Sequence, residues 1–198
     1  NGGDNIITSD SGNDLLYGGG GNDVLVSGAG NDFIYGEAGN DVLVLTQSGT
    51  QYFDGGEGVD KFEIYLPNWS TAPEGFVGGV NLELGIVGSE SDLDNPLTDR
   101  LVSIENVSVI AQYGYVITGN DGDNVLTGGS GDDILSTGDG NDTLSGGLGD
   151  DTLIISGVGD STLDGGDGTD TFKIDLSNYI PPEGVTDFAY KADLSTGF

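Results

Sequence analysis

The chain has no cysteine, histidine or methionine, and only four lysines and arginines among its 198 residues. Without cysteine there is no disulfide framework, and a zinc centre would lack the thiolate and imidazole ligands it prefers. The serines have no histidine or cysteine partner, so the usual nucleophile–base pairs cannot be assembled. The scarcity of positive charge excludes nucleic acid and anionic membrane surfaces as partners, since both are held through Lys and Arg. No apolar run approaches membrane-spanning length, and no insertion into a bilayer is expected. Proline is confined to Pro67, Pro73, Pro96, Pro181 and Pro182.

Glycine and acid are abundant. Gly makes up 38 residues, and 34 Asp and Glu give a formal charge of −30. Such repulsion opposes compaction, and this composition with scattered acids would read as disorder. The acids are placed, however. Asp14, Asp23, Asp32 and Asp41 recur every ninth residue, each with a glycine two positions before and an aliphatic residue two after. The frames are SDSGNDLLY from Ser9, GGGGNDVLV from Gly18, SGAGNDFIY from Ser27 and GEAGNDVLV from Gly36. They return as GGSGDDILS from Gly128, TGDGNDTLS from Thr137 and GGLGDDTLI from Gly146. Ordered carboxylates without matching Lys or Arg imply cations drawn from solution.

The repeats form two blocks on one plan, an internal duplication. NGGDNIIT from Asn1 matches NDGDNVLT from Asn120; a ten-residue unit follows the nonapeptides, LTQSGTQYFD from Leu45 and ISGVGDSTLD from Ile155. Closing units GGEGVDKFE from Gly55 and GGDGTDTFK from Gly165 end them, and the first block carries one extra unit. The expected division is a first block over 1–66, a metal-free connecting β segment over 67–118, a second block over 119–176 and a further connecting segment beginning at 177–198. Leu82, Leu84 and Ile86 alternate, and LVSIENVSVI from Leu101 reads as strands. The chain opens and closes within repeat material and so reads as part of a longer protein, whose targeting its ends do not reveal.

A nine-residue unit divides into a six-residue turn and a three-residue strand. Glycine in the turn permits positive φ and close backbone approach. The aliphatic residues (Leu16, Leu25, Ile34, Leu43, Leu126, Leu135, Leu144, Leu153) share one face and their neighbours point outward. Two units make one coil of an all-β roll, and coils stack at roughly 4.8 Å. Asp14 then lies over Asp32, at a cost in repulsion unless a cation intervenes. The turns offer only oxygen, which suits Ca²⁺; Mg²⁺ sheds its water too reluctantly.

The frame GGxGxDxUx, with U a large aliphatic residue, resembles the nonapeptide of RTX (repeats-in-toxin) proteins, and DRLVSIENV from Asp99 is similar to segments joining their blocks. The resemblance implies a right-handed parallel β-roll, also called a parallel β-helix. It further implies sites in which one turn gives two carbonyls and its aspartate, and the turn above gives two more and its own. Carried over, Asp10, Gly12 and Asp14 would face Ser27, Ala29 and Asp32. Gly19, Gly21 and Asp23 would face Gly36, Ala38 and Asp41. Glu37, Gly39 and Asp41 would face Gly55, Glu57 and Asp60. In the second block, Gly129, Gly131 and Asp133 would face Gly146, Leu148 and Asp151; Gly147, Gly149 and Asp151 would face Gly165, Asp167 and Asp170. Gly138, Gly140 and Asp142 would face Ile155, Gly157 and Asp160. At the entrances, Asn1, Gly3 and Asn5 would face Gly18, Gly20 and Asp23, and Asn120, Gly122 and Asn124 would face Thr137, Asp139 and Asp142. Asn5 and Asn124 replace aspartate there, keeping an oxygen but losing a charge. Thr50 stands where Asp160 stands, so no ion, or a poor one, is expected between Asp32 and Thr50. Roughly seven oxygen-caged ions are expected.

At about tenfold above a dissociation constant of about 10⁻⁴ to 10⁻³ M, each site adds roughly 1.4 kcal/mol to the folded state. About seven such sites contribute on the order of 10 kcal/mol, the stability of an ordinary domain. The expected function is calcium-dependent folding of a non-catalytic extracellular scaffold from a secreted or cell-surface bacterial protein, as in the repeat region of an adhesin. The alternative is an accessory module of a secreted enzyme (protease, lipase or alginate-modifying) or toxin. The resemblance implies export by a type I secretion apparatus. Lys61, Arg100, Lys173 and Lys191 read as local ion pairs. Outward positions of the first block are apolar (Leu15, Tyr17, Val24, Val26, Phe33, Tyr35, Val42, Val44), those of the second mostly Thr and Ser. That stripe calls for a cover, from part of Phe76 to Thr118 or from a neighbouring domain, or else a protein or polysaccharide partner. Trp69 and Tyr179 read as caps of the core, and Asn68–Ser70 and Asn106–Ser108 match the glycosylation pattern by coincidence.

Overall fold

The structure, a computed structural model, describes residues 1–47, 49–66, 78–89 and 99–175. Trp69, Tyr179, Lys191, the 68–70 pattern, all five prolines and the segment 177–198 lie outside them. The described residues are all β, without a helix. One sheet of eight strands contains, in spatial order, β1 (Ile6–Thr8), β3 (Val24–Ser27), β5 (Val42–Leu45), β7 (Lys61–Tyr65), β11 (Asn106–Ile110), β13 (Val125–Ser130), β15 (Thr143–Leu148) and β17 (Thr162–Asp167). The facing sheet of ten runs β2 (Leu15–Gly20), β4 (Phe33–Ala38), β6 (Tyr52–Glu57), β10 (Asp99–Val102), β9 (Ile86–Ser89), β8 (Gly78–Asn81), β12 (Tyr115–Thr118), β14 (Ile134–Thr137), β16 (Thr152–Ile155) and β18 (Thr171–Ile174). The architecture is a parallel β-roll; among the described residues only β9 pairs antiparallel, to β8 and β10.

Successive nonapeptides fall on opposite sheets because the chain turns a corner between them. The coil repeat is therefore two units, and residues 18 apart pair: Leu15 with Phe33, Val24 with Val42, Leu126 with Leu144. The ten-residue unit lengthens one coil to 19, so Phe33 pairs with Tyr52 and Thr143 with Thr162. Strands reach six residues where the first glycines of the turn keep pairing, as Gly19 does with Glu37. Glycine is required at such stacked turns. Gly30 has φ +137°, and a Cβ there would strike the carbonyl of Gly12 one coil below.

The aliphatic column fills the interior. Leu25, Ile34, Leu43, Leu126, Leu135, Leu144 and Leu153 are fully buried, and Phe53 packs edge-on to Phe62 at 4.9 Å. The connecting segment continues both sheets. β11 bridges β7 to β13, while β8 to β10 and β12 bridge β6 to β14. Two expectations need correction. Leu82 and Leu84 lie in the turn between β8 and β9, because the chain reverses there. Val44, expected outside, is buried in register between Val26 and Glu63, the latter held to Lys61 by an ion pair at 2.6 Å. The remaining outward stripe is exposed at Leu15, Tyr17 and Phe33, with Tyr17 stacked on Tyr35 at 5.1 Å.

Candidate metal centre

Each corner aspartate closes on the corner one coil below. Oδ1 of Asp23 accepts the Asn5 amide at 2.7 Å, Asp41 accepts that of Asp23 at 2.7 Å, and Asp60 that of Asp41 at 2.8 Å. On the opposite edge Asp32 accepts from Asp14 at 2.9 Å. In the second block Asp142 accepts from Asn124, Asp151 from Asp133 and Asp170 from Asp151. One oxygen of each carboxylate is thereby used. In five of them the other is not: Oδ2 of Asp23, Asp32, Asp41, Asp60 and Asp151 is buried without a hydrogen-bond partner, as is that of Asp14 and that of Asp133, whose Oδ1 accepts the Tyr115 amide. A buried, unpartnered carboxylate oxygen is costly unless something positive meets it.

Backbone oxygen converges on the same points. A Cβ added to Gly18 would lie 2.5 Å from Asp23 Oδ2 and 2.7 Å from the Gly36 carbonyl. The same cradle forms at Gly36 from Asp41 Oδ2 and the Gly55 carbonyl, at Gly128 from Asp133 and Gly146, and at Gly146 from Asp151 and Gly165. Only a residue without a side chain leaves this space open. The third-position carbonyls of Ala29, Ala38, Glu57, Leu148 and Asp167 each accept one amide from the coil below, at 2.8–3.0 Å. A carbonyl has two lone pairs, so one remains. No cluster of three or more His, Cys, Asp or Glu side chains occurs among the described residues. A cation here would thus draw its ligands largely from carbonyls, and the all-oxygen set fits Ca²⁺.

The entrances fit less well. Asn5 spends its amide on the Gly3 carbonyl and its oxygen on the Asn1 side chain, each at 2.7 Å. Asn124 accepts from the Asn120 backbone at 2.9 Å and donates to the Glu105 carbonyl at 2.8 Å. These turns satisfy themselves. Asp10, Gly12 and Ser27 lie in stacked turns, although the Ser27 carbonyl accepts the Thr46 hydroxyl at 2.6 Å. Asp160 falls one residue short of its expected place. Its amide reaches Asn141, while Ser161 takes the position above Asp142. Likewise Thr50 stacks on Asn31, and Gln51 occupies the aspartate position, accepting from Asp32 at 2.9 Å. The extra residue of the ten-residue unit precedes these positions and shifts them by one.

Burial dominates the electrostatics. It pushes Asp133 up to about 7, with repulsion from Asp151 and Asp132 added and the Tyr115 amide opposing. Asp60 rises to about 6, first through burial, then through Asp41, Glu105 and Asp54. Asp41, Asp142 and Asp151 are raised from the same first cause. A neighbouring cation would reverse each shift.

Two sets of residues escaped the sequence reading. The residue before each aspartate forms an outer ladder running the other way: Asn13 accepts from Asn31, Asn22 from Asn40, Asp132 from Asp150, at 2.9–3.0 Å. Its signal was present, since Asn or Asp precedes the aspartate in all seven nonapeptides before the closing units, where Val59 and Thr169 stand instead. The second set has no repeat signal. Asp99 accepts from Gln51 at 2.6 Å, and Glu105 from Asp60 at 2.7 Å, so the connecting segment fills aspartate positions in both columns.

Four copies of the RTX calcium-binding nonapeptide repeat are matched, over residues 1–34, 17–46, 118–153 and 154–173, together just over half of the chain. Asp99 and Glu105 lie between the matched stretches. No curated protein matches the chain.

Proposed function

The chain belongs to the RTX calcium-binding nonapeptide repeat family, and on that premise we propose that it is a calcium-gated extracellular scaffold. Its corners bind calcium, and the fold depends on their doing so. The observation that carries this reading is the row of seven buried, unpartnered Oδ2 atoms among the described residues of a chain of charge −30. Bound calcium supplies two positive charges and six to eight oxygen-coordination positions. The residues do the rest: aspartate Oδ1 clamps each coil to the one below, Oδ2 and the corner carbonyls face the cation, and the aliphatic column seals the interior. Five of the eight corner pairs fit in full, and the less complete entrances bring the expected total to roughly seven ions per chain.

Without cations the carboxylates repel, and short strands bury too little to compensate. The chain is then largely unfolded in a calcium-poor cytoplasm, passes out through a type I secretion apparatus, and folds outside into a stiff rod of the kind an adhesin's repeat region needs. No catalytic role is assigned to it. Calcium titration of the chelated protein under circular dichroism tests the reading. The β signal should develop cooperatively as calcium approaches the millimolar range typical of extracellular modules. A full β signal in excess chelator would refute it.

A further inference from the structure

The corner Gly55–Asp60 is the last of the first block, and no repeat turn stacks on it. Instead β10 pairs with β6, and the chain crosses to β11 through a three-residue corner, Ser103 to Glu105. Ser103 has φ +50°, and its carbonyl is turned onto the point where a Cβ of Gly55 would lie. Asp60 Oδ2 adjoins that same point. Asp60 is fully buried and its Oδ2 has no partner. Glu105 meanwhile accepts the Asp60 amide through Oε2 at 2.7 Å, as each repeat aspartate does for the corner beneath it. A carbonyl, an orphaned carboxylate oxygen and a second carboxylate thus recreate the repeat cradle with residues from outside the repeat.

We propose that this junction is a further divalent-cation site, built from Asp60 and Ser103 and completed by Glu105, which fastens the connecting segment to the first block. It rests on the reading of the roll as calcium-binding, and it places an ion in the segment expected to be metal-free. The junction ion makes docking of the connecting strands depend on the same calcium that folds the block.

Glu105→Gln in the full chain is the test, with bound calcium counted by equilibrium dialysis and metal analysis. Gln51 already accepts an amide at the equivalent place over Asp32, so the substitution keeps the hydrogen bond and removes only the charge. Expected is one ion fewer per chain, or one site weakened at least tenfold, with a calcium-saturated β signal equal to wild type. Asp60→Asn, which also faces the Asp41 corner, should cost two ions. Wild-type stoichiometry and affinity in E105Q would overturn the junction while leaving the roll intact. A wild-type chain that binds no calcium would overturn both. Should E105Q fail to reach the folded signal, E105D is counted instead; unchanged affinity there, with the carboxylate drawn back by one methylene, counts against the site.

Discussion

The corner Gly36–Asp41 and its duplicate Gly146–Asp151 have the same chemistry and face opposite edges of the roll. The first joins β4 of the ten-stranded sheet to β5 of the eight-stranded sheet; the second joins β15 of the eight-stranded sheet to β16 of the ten-stranded one. The cause is parity. Each unit is half a coil, and the first block carries one extra unit, so matching units end on opposite sides. Their outward neighbours have diverged accordingly, Phe33 and Tyr35 in one, Thr143 and Ser145 in the other. What has not diverged is the cradle: Asp41 Oδ2 with the Gly55 carbonyl, Asp151 Oδ2 with that of Gly165. Corner chemistry is local, whereas sheet membership is a matter of counting.

Gly36→Ala and Gly146→Ala are the strongest challenge to that equivalence. Each drives a Cβ onto a carboxylate and a carbonyl. Each should lower the calcium-saturated unfolding midpoint by about 5–10 °C, corresponding to about 3 kcal/mol in a chain of this size. Calorimetry on both variants checks it, and a loss in one block but not the other would break the comparison.

Acid sharpens it at smaller amplitude. In the calcium-free fold Asp133 titrates near 7 and Asp60 near 6, both above the ordinary value of 3.8. The folded chain therefore holds more protons than the unfolded chain between about pH 4 and 7, and its stability falls as pH rises through that window. Lowering the pH of chelated protein from about 8 to about 5 should recover part of the β signal. At the lower pH less added calcium should be needed for half-folding, although each ion should bind the folded corners more weakly, because ion and proton compete. A pH-independent chelated state would contradict the burial of these carboxylates. The smallest effect belongs to the outer ladder. Asn40→Ala removes the acceptor of the Val59 amide and should cost about 1 kcal/mol in denaturant titration. Val59→Asn should be neutral, since Val59 is exposed and no repeat turn follows it.

The nonapeptide spacing alone gave the coil repeat, the buried aliphatic column and the stacking of Asp14 on Asp32, because these follow from periodicity. It misplaced Asp160 and Thr50 by one residue because an inserted residue is silent about where in the turn it bulges. Asp99 and Glu105 were out of its reach. They enter the columns across 48 and 45 residues, and only the pairing of β10 and β11 with the first block brings them there. The alternation of Leu82 and Leu84 misled for a related reason, since a tight reversal and a strand can share a pattern over three residues.

The two ladders stitch the junctions between repeat coils in opposite directions. Asp14 gives its amide forward to Asp32, while Asn31, next to it, gives its amide back to Asn13. A coil that slipped by one residue would surrender both stitches together and turn its aliphatic column to the water. The roll is therefore indexed like a toothed rack, able to lengthen by whole coils but not to creep.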